Sequence, residues 1–99
     1  MRRDEVIRIL QEHRDELTQQ YGVKSLALFG SVARNDATDS SDVDLLVDFD
    51  RTVGLFHLSR THRYLRRILR VKKLDLVLRR ALLKELKPSI LRDAIDVVS

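Results

Sequence analysis

The chain has no cysteine among its 99 residues, which excludes both a disulfide framework and a thiolate metal site. It also lacks an apolar run of the roughly 20 residues that a membrane-spanning helix needs. Charged residues, and not an apolar signal region, follow the first methionine. Its two tyrosines are too few to form a stacking platform for RNA bases. These absences predict a soluble cytoplasmic protein with no membrane segment.

The sequence also contains no internal repeat, linker or low-complexity segment. A chain of this length can bury one hydrophobic core but has no room for a separate substrate-binding domain. We therefore expect a single domain over residues 1–99, so that any macromolecular substrate must bring its own binding surface.

Charge is distributed unevenly along the chain. Residues 1–50 carry 6 Lys/Arg and 11 Asp/Glu, whereas residues 51–99 carry 13 Lys/Arg and 4 Asp/Glu. From Arg51 to Lys73 there are eight basic residues and no acidic one. This basic segment favours an anionic partner such as RNA, a nucleotide or an acidic protein surface, although a solvated helix face has the same composition.

Apolar residues at helical spacing predict three helices. The first covers residues 4–20 and ends near Gly22. The second follows Gly54, and its predicted apolar stripe consists of Leu55, Leu58, His62, Leu65 and Leu69. The third begins near Pro88, and its predicted stripe consists of Ile90, Leu91, Ala94 and Ile95.

Three short apolar runs predict strands over residues 24–29, 43–49 and 74–78. The first run ends at Gly30-Ser31, where a brief helix can begin. Between this turn and the second strand, residues 35–41 are polar and typical of an exposed loop.

Carboxylates occur on one face of two predicted strands. Because side chains alternate along a strand, Asp42 and Asp44 share a face that we expect to be open, together with Leu46. The opposite, core-facing set is Val43, Leu45, Val47 and Phe49. In the third strand, Asp75 likewise lies opposite a row of leucines. The pattern predicts three carboxylates on matching open faces.

These carboxylates suit a divalent metal. Asp42 and Asp44 are roughly 6 to 7 Å apart along the strand, close enough to bind one ion or bridge two. Mg²⁺ prefers oxygen ligands and is usually held by one or two carboxylates together with substrate phosphates. Asp75 could add a third carboxylate, and two ions would stabilise the attacking and leaving oxygens of an in-line phosphoryl transfer.

The Gly30-Ser31 turn suits a phosphate. Glycine allows a tight turn and close approach of the backbone to a ligand, and Ser31 adds a hydroxyl donor. A helix that begins there would direct free amides toward terminal phosphates.

Together these segments resemble the minimal nucleotidyltransferases of the DNA polymerase beta superfamily. The resemblance rests on residues 28–34 (LFGSVAR), 41–47 (SDVDLLV) and 74–77 (LDLV), and residues 86–91 resemble the family's C-terminal helix. It implies an α+β fold, a small mixed β-sheet flanked by helices. One departure is Asn35, where a glycine often follows the arginine of the motif.

The resemblance also implies a reaction and its residues. A nucleoside monophosphate, such as AMP from ATP, would pass to a hydroxyl with release of pyrophosphate. Asp42, Asp44 and Asp75 would bind two Mg²⁺ ions, and Asp75 would also help to activate the hydroxyl. Gly30 and Ser31 would hold the triphosphate. Many small members are antitoxins of a HEPN-domain RNase toxin, and some resemble enzymes that adenylylate a tyrosine of that toxin.

Several alternatives stay open at the level of sequence. Arg34 can reach the triphosphate or brace the loop by pairing with Asp36 or Asp39. The histidines are expected to serve packing and not catalysis. The protein could neutralise a toxin by binding alone, or transfer a nucleotide to RNA or to a small molecule. RNA contact would use the basic segment Arg51–Lys73.

Overall fold

A computed structural model describes residues 2–35, 42–84 and 92–99, with side chains described except at residues 82–84. Its helices are α1 (Arg3–Glu12), α2 (Arg14–Tyr21), α3 (Gly30–Ala33), α4 (Leu55–Leu69) and α5 (Arg79–Lys84). Its strands are β1 (Val23–Phe29), β2 (Val43–Phe49), β3 (Leu74–Leu78) and β4 (Ile95–Val98). The predicted Pro88 and Ile90 of the last helix lie outside the described residues, as does most of the 35–41 loop.

The strands form one mixed sheet in the order β3-β2-β1-β4. β1 pairs antiparallel with both β2 and β4, whereas β2 and β3 run parallel. The parallel pair is connected through α4, the crossover helix that such a pair requires. The expected α+β fold with a small mixed sheet is therefore confirmed.

The main core lies between one face of this sheet and helices α1, α2 and α4. Its buried residues include the predicted core-facing set of β2, namely Val43, Leu45, Val47 and Phe49. A smaller cluster on the opposite face contains Ala27 and Leu46, packed against Phe29, Val77 and Ala94. That second face was expected to be open, but Leu46 is only 1% exposed, so the prediction was wrong for its central part.

The first predicted helix is broken into two at His13. The backbone N–H and the ring Nδ1–H of His13 both lie within hydrogen-bonding distance of the Ile9 carbonyl, at 3.2 and 2.8 Å. The ring thus caps the end of α1, and α2 restarts at Arg14. Gly22 ends α2 in the left-handed region with φ 67°, as the sequence predicted.

Two details of the predicted helices were wrong. Leu55, placed in the apolar stripe of α4, is 83% exposed because it stands at the first helical position and at the edge of that stripe. Ile95, placed in a terminal helix, begins strand β4 instead. The edge of β1 offers unpaired backbone groups, and Ile95 lies opposite Leu28 there, so sheet pairing prevails over the helical pattern.

Candidate active site

The candidate site is built where β1 ends and where β2 and β3 begin. Phe29, the last residue of β1, lies opposite Asp44 in the antiparallel register. Asp44 in turn lies opposite Asp75 in the parallel register of β2 and β3. Two of the three predicted carboxylates are therefore adjacent, on the face of the sheet that points away from α1, α2 and α4.

Asp44 is the most perturbed acid of this site. Burial raises its pKa to about 6, assisted by a hydrogen bond with Asp75 and by the negative charges of Asp75 and Asp42. The positive charge of Arg34 acts in the opposite direction. Since a charge shifts the pKa of a carboxyl only at short range, both Asp42 and Arg34 belong to the electrostatic surroundings of Asp44.

Gly30 fits closely against Asp44. It has φ 77°, a backbone conformation that L side chains rarely adopt, and a Cβ built there would overlap the Asp44 carboxylate and lie 3.1 Å from its Cγ. Ser31 follows as a half-buried residue of α3. Both the turn and the adjacent Asp44 carboxylate require glycine at this position. The sequence indicated the requirement of the turn but not the contact with Asp44.

Arg34 ends α3 beside this turn. Its Nη1 lies 3.8 Å from Asp93 Oδ2, and both side chains are about half exposed. The predicted partners Asp36 and Asp39 lie outside the described residues, and Asp93 is one carboxylate that the structure places near this arginine. No sequence signal identified Asp93. Asn35 follows with φ 62°, a left-handed conformation that asparagine tolerates, so the turn survives without the family's usual glycine.

Two adjacent carboxylates, Asp44 and Asp75, are the oxygen donors that this site offers to a divalent ion. Among residues 2–35, 42–84 and 92–99, no three Asp, Glu or His side chains lie close enough together to enclose a metal. Asp44 and Asp75 nevertheless offer adjacent carboxylate oxygens whose mutual repulsion a cation would relieve, and hard oxygen ligands are those that Mg²⁺ prefers. The residues present therefore fit a magnesium ion as an open site that substrate oxygens and water would complete.

The three histidines bind backbone carbonyls, as expected for packing residues. The Nε2–H of His57 donates to the Tyr21 carbonyl at 2.6 Å, and that of His62 donates to the Leu74 carbonyl at 2.7 Å. His62 thereby ties α4 to the residue that precedes Asp75. A groove of about 470 Å³ lined by Val23, Asp50 and Val98 lies at the other end of the sheet and contributes nothing to this site.

The fold and site define a class of protein. A mixed sheet presents paired carboxylates beside a glycine turn, an arrangement suited to phosphoryl chemistry on a nucleotide. The model of the nucleotidyltransferase domain family matches residues 10–97. The chain belongs to this family, and its fold is that of the minimal nucleotidyltransferases.

Individual relatives agree. The chain is 34% identical over 94 residues to protein adenylyltransferase MntA of Thermococcus cleftensis, covering 95% of this chain and 94% of that protein. It is 42% identical over 73 residues to a protein of Methanocaldococcus jannaschii provisionally named a protein adenylyltransferase, covering 74% of each. A solved structure provisionally named a minimal nucleotidyltransferase superposes with a TM-score of 0.76 at 35% identity, covering 96% of this chain and 95% of that one.

Among the described helices, none has the length and apolar character needed to cross a membrane.

Proposed function

We propose that this chain transfers AMP from ATP to a hydroxyl of a protein partner, namely a tyrosine of a cognate HEPN-domain RNase, and thereby acts as its antitoxin in the cytoplasm. The observation that carries the proposal is the Asp44–Asp75 pair against the Gly30 turn. One relative is named a protein adenylyltransferase and another is provisionally so named, and these names support a protein as the acceptor.

Each site residue has a proposed role. Asp42, Asp44 and Asp75 would hold two Mg²⁺ ions, which supply positive charge to the reacting phosphate oxygens when bound. The Gly30 backbone and the Ser31 hydroxyl would hold the triphosphate, and Arg34 would contact it from the end of α3. Asp75 is exposed at the start of β3, where an acceptor hydroxyl can approach it.

The proposed transfer of AMP requires only ATP and the acceptor hydroxyl as reactants. The acceptor oxygen forms a bond to the α-phosphorus of ATP as the bond between that phosphorus and the bridging oxygen breaks. Pyrophosphate leaves with the electron pair, and the hydroxyl proton passes to Asp75 and then to water. In-line positioning by Gly30, Ser31 and Arg34 would keep the leaving pyrophosphate opposite the acceptor.

The test is incubation of the partner RNase with α-labelled ATP, Mg²⁺ and the chain. Labelled partner with loss of RNase activity is expected, and Asp42→Ala/Asp44→Ala should abolish both effects. Asp48→Asn is the matched control, because Asp48 lies on the same strand but pairs with Arg80 at 3.6 Å.

Two other outcomes would reject the proposal. Neutralisation of the RNase by Asp42→Ala/Asp44→Ala, without any label, would establish an antitoxin that acts by binding alone. Label in RNA or in a small molecule such as an aminoglycoside, with none in protein, would show that the chain transfers a nucleotide to a different acceptor.

A further inference from the structure

Two large apolar side chains at the start of α4 are exposed to solvent. Leu55 is 83% exposed and Phe56 is 91% exposed, whereas the other large apolar residues of the described chain are buried or partly buried. A single exposed leucine needs no explanation, but an adjacent exposed leucine and phenylalanine at one end of a helix form a patch.

Arginines continue this patch along the same side of the helix. Residues 56, 60, 63 and 66 recur at intervals of four and three, the spacing of one helical face. Arg60, Arg63 and Arg66 are exposed and have no ion-pair partner in the described part of the chain. We call Leu55, Phe56, Arg60, Arg63 and Arg66 the outer face of α4.

The outer face of α4 lies on the opposite side of the sheet from the candidate site. The inward side of α4 places Tyr64, Leu65 and Leu69 in the core with β2 residues such as Leu45. Asp44 follows the opposite alternation of β2 and projects away from that core. The outer face is therefore too remote to bind the triphosphate that the site would hold, and it is free for another role.

We propose that the outer face of α4 is the docking surface for the acceptor protein, a partner that presents an apolar pocket for Phe56 rimmed by carboxylates for the arginines. The inference rests on the proposed function in taking the acceptor to be a protein. The charge of this face favours an acidic partner surface, because the segment from Arg51 to Lys73 contains eight cations and no anion. A large exposed aromatic side chain next to arginines is also typical of the energetically important part of a protein interface.

Two other occupants fit the outer face less well. A two-fold dimer would bring the outer faces of two copies together, so that each row of arginines would oppose the other. RNA would neutralise the arginines, but Leu55 offers no flat ring for a base and Phe56 is the only exposed aromatic beside it.

Docking on this face has a geometric consequence for the acceptor hydroxyl. The shortest principal dimension of the molecule is 21 Å, and the hydroxyl must reach the far side of the sheet. An extended chain spans about 3.3 Å per residue, so a segment of on the order of ten residues is needed. The acceptor tyrosine is therefore expected on a tail or long loop of the partner.

The experiment measures binding of the HEPN-domain RNase named above by isothermal calorimetry, with Phe56→Ser and Arg63→Glu/Arg66→Glu. Each variant should raise Kd at least about tenfold, because Phe56→Ser removes the apolar anchor and the double variant reverses two of the positive charges beside it. Phe56→Leu should recover part of the loss. Arg2→Glu/Lys24→Glu changes the net charge equally at exposed positions elsewhere and should bind like wild type.

The readouts separate this inference from the proposed function. Binding that depends on Phe56 but gives no label from ATP supports docking and rejects transfer to that protein. Label and binding that are unchanged in both outer-face variants overturn docking here and leave transfer intact. If wild type does not bind the RNase at all, both are rejected.

Two further results would assign the outer face to another occupant. Tight binding of a labelled 20-nucleotide RNA that is lost in Arg63→Glu/Arg66→Glu but retained in Phe56→Ser would assign it to RNA. A wild-type dimer in light scattering that Phe56→Ser converts to a monomer would assign it to a second copy. Because Phe56 and both arginines are exposed, all variants should melt within about 2 °C of wild type, which checks that they fold.

Discussion

Asp44 and Asp75 stand opposite each other in the parallel register of β2 and β3, close enough to share a hydrogen bond. Two carboxyl groups can share such a bond only while one of them keeps a proton. Burial of Asp44, together with this neighbour, raises its pKa to about 6 from an ordinary value of 3.8. In the metal-free protein the pair is therefore a source of repulsion near neutral pH, which a bound cation would relieve.

The raised pKa predicts how metal-free stability depends on pH. The folded chain keeps a proton on Asp44 up to about pH 6, whereas the unfolded chain releases it near pH 4. The stabilising contribution is thus complete below about pH 4 and is lost as the pH rises through 6. In urea denaturation with a chelator present, Asp44→Asn should remove this slope and unfold at a higher urea concentration than wild type at pH 8.

Asp48→Asn provides the comparison for this prediction. Asp48 lies four residues along the same strand but faces Arg80 instead of a second acid. Because Asp48→Asn leaves Asp44 and Asp75 in place, the contribution of Asp44 to the slope should persist in this variant. A wild-type slope that persists in Asp44→Asn would contradict the assignment, and addition of Mg²⁺ at pH 8 should raise the melting temperature of wild type but not of Asp44→Asn.

Gly30→Ala is predicted to damage the site beyond its cost in stability. The new Cβ would overlap the Asp44 carboxylate in a residue with φ 77°. We expect a loss of about 1 to 2 kcal/mol in unfolding free energy from the left-handed conformation. We also expect at least a tenfold loss of ATP affinity, since Asp44 must move. Equilibrium denaturation and calorimetric ATP titration measure the two effects.

Two glycine variants separate strain from site damage. Gly22→Ala introduces similar strain at φ 67°, where the Cβ would meet Asp50 at the far end of the sheet, so it should lower stability and leave ATP affinity unchanged. Gly54→Ala meets no atom within 4 Å and should change neither. Equal loss of ATP affinity in Gly22→Ala and Gly30→Ala would show that global strain, and not contact with Asp44, is responsible.

Much of the sheet was predictable from local pattern. Alternation along β2 and β3 placed Asp44 and Asp75 on the correct face, and the Gly30 turn was found because glycine marks a tight change of direction. Their adjacency was not determined by either strand alone. It depends on the parallel register between strands separated by α4, which no local periodicity encodes.

The errors share a physical cause. Ile95 has a helical neighbourhood in sequence, yet its backbone completes the open edge of β1. Leu46 was assigned to an open face, yet Ala27 and Val77 from the two flanking strands enclose it. Asp93 near Arg34 carries no motif. In each case the partner comes from a distant segment, so tertiary contact decides what the local pattern leaves undetermined.

We predict that the aromatic ring of Tyr64, and not its hydroxyl, stabilises the folded protein. Its buried hydroxyl lies near the Glu16 carboxylate but makes no hydrogen bond of ordinary geometry within the described residues, while its ring stacks on Tyr21 at 4.5 Å between centroids. Tyr64→Phe should therefore leave the unfolding free energy unchanged or raise it by up to about 1 kcal/mol. Tyr64→Ala should lower it by about 3 to 5 kcal/mol through the cavity that it leaves.

Alkaline titration gives an independent check on Tyr64. Burial raises its pKa above the ordinary value of a phenol, and the neighbouring Glu16 carboxylate acts in the same direction. Absorbance at the tyrosinate band should thus show a phenol that ionises at a higher pH than a free phenol. That phase should vanish in Tyr64→Phe, and its persistence there would contradict the assignment to Tyr64.

His62 is predicted to act as a positioning residue for Asp75. Its Nε2–H holds the Leu74 carbonyl at 2.7 Å, one residue before the exposed carboxylate that the proposed mechanism assigns to the acceptor hydroxyl. His62→Ala should release the start of β3 and lower kcat for partner labelling about tenfold with little change in KM for ATP. His62→Gln, which retains an N–H donor, should recover part of kcat.

His57 supplies the matched comparison on the same helix. Its Nε2–H holds the Tyr21 carbonyl at 2.6 Å, at the end of the sheet remote from Asp75. His57→Ala removes an equivalent hydrogen bond and should cost a similar amount of stability, about 1 kcal/mol, without lowering kcat when measured well below the melting temperature. If both variants lower kcat equally, the His62 bond serves only the stability of α4, because loss of a general packing contact would not distinguish the two ends of the sheet.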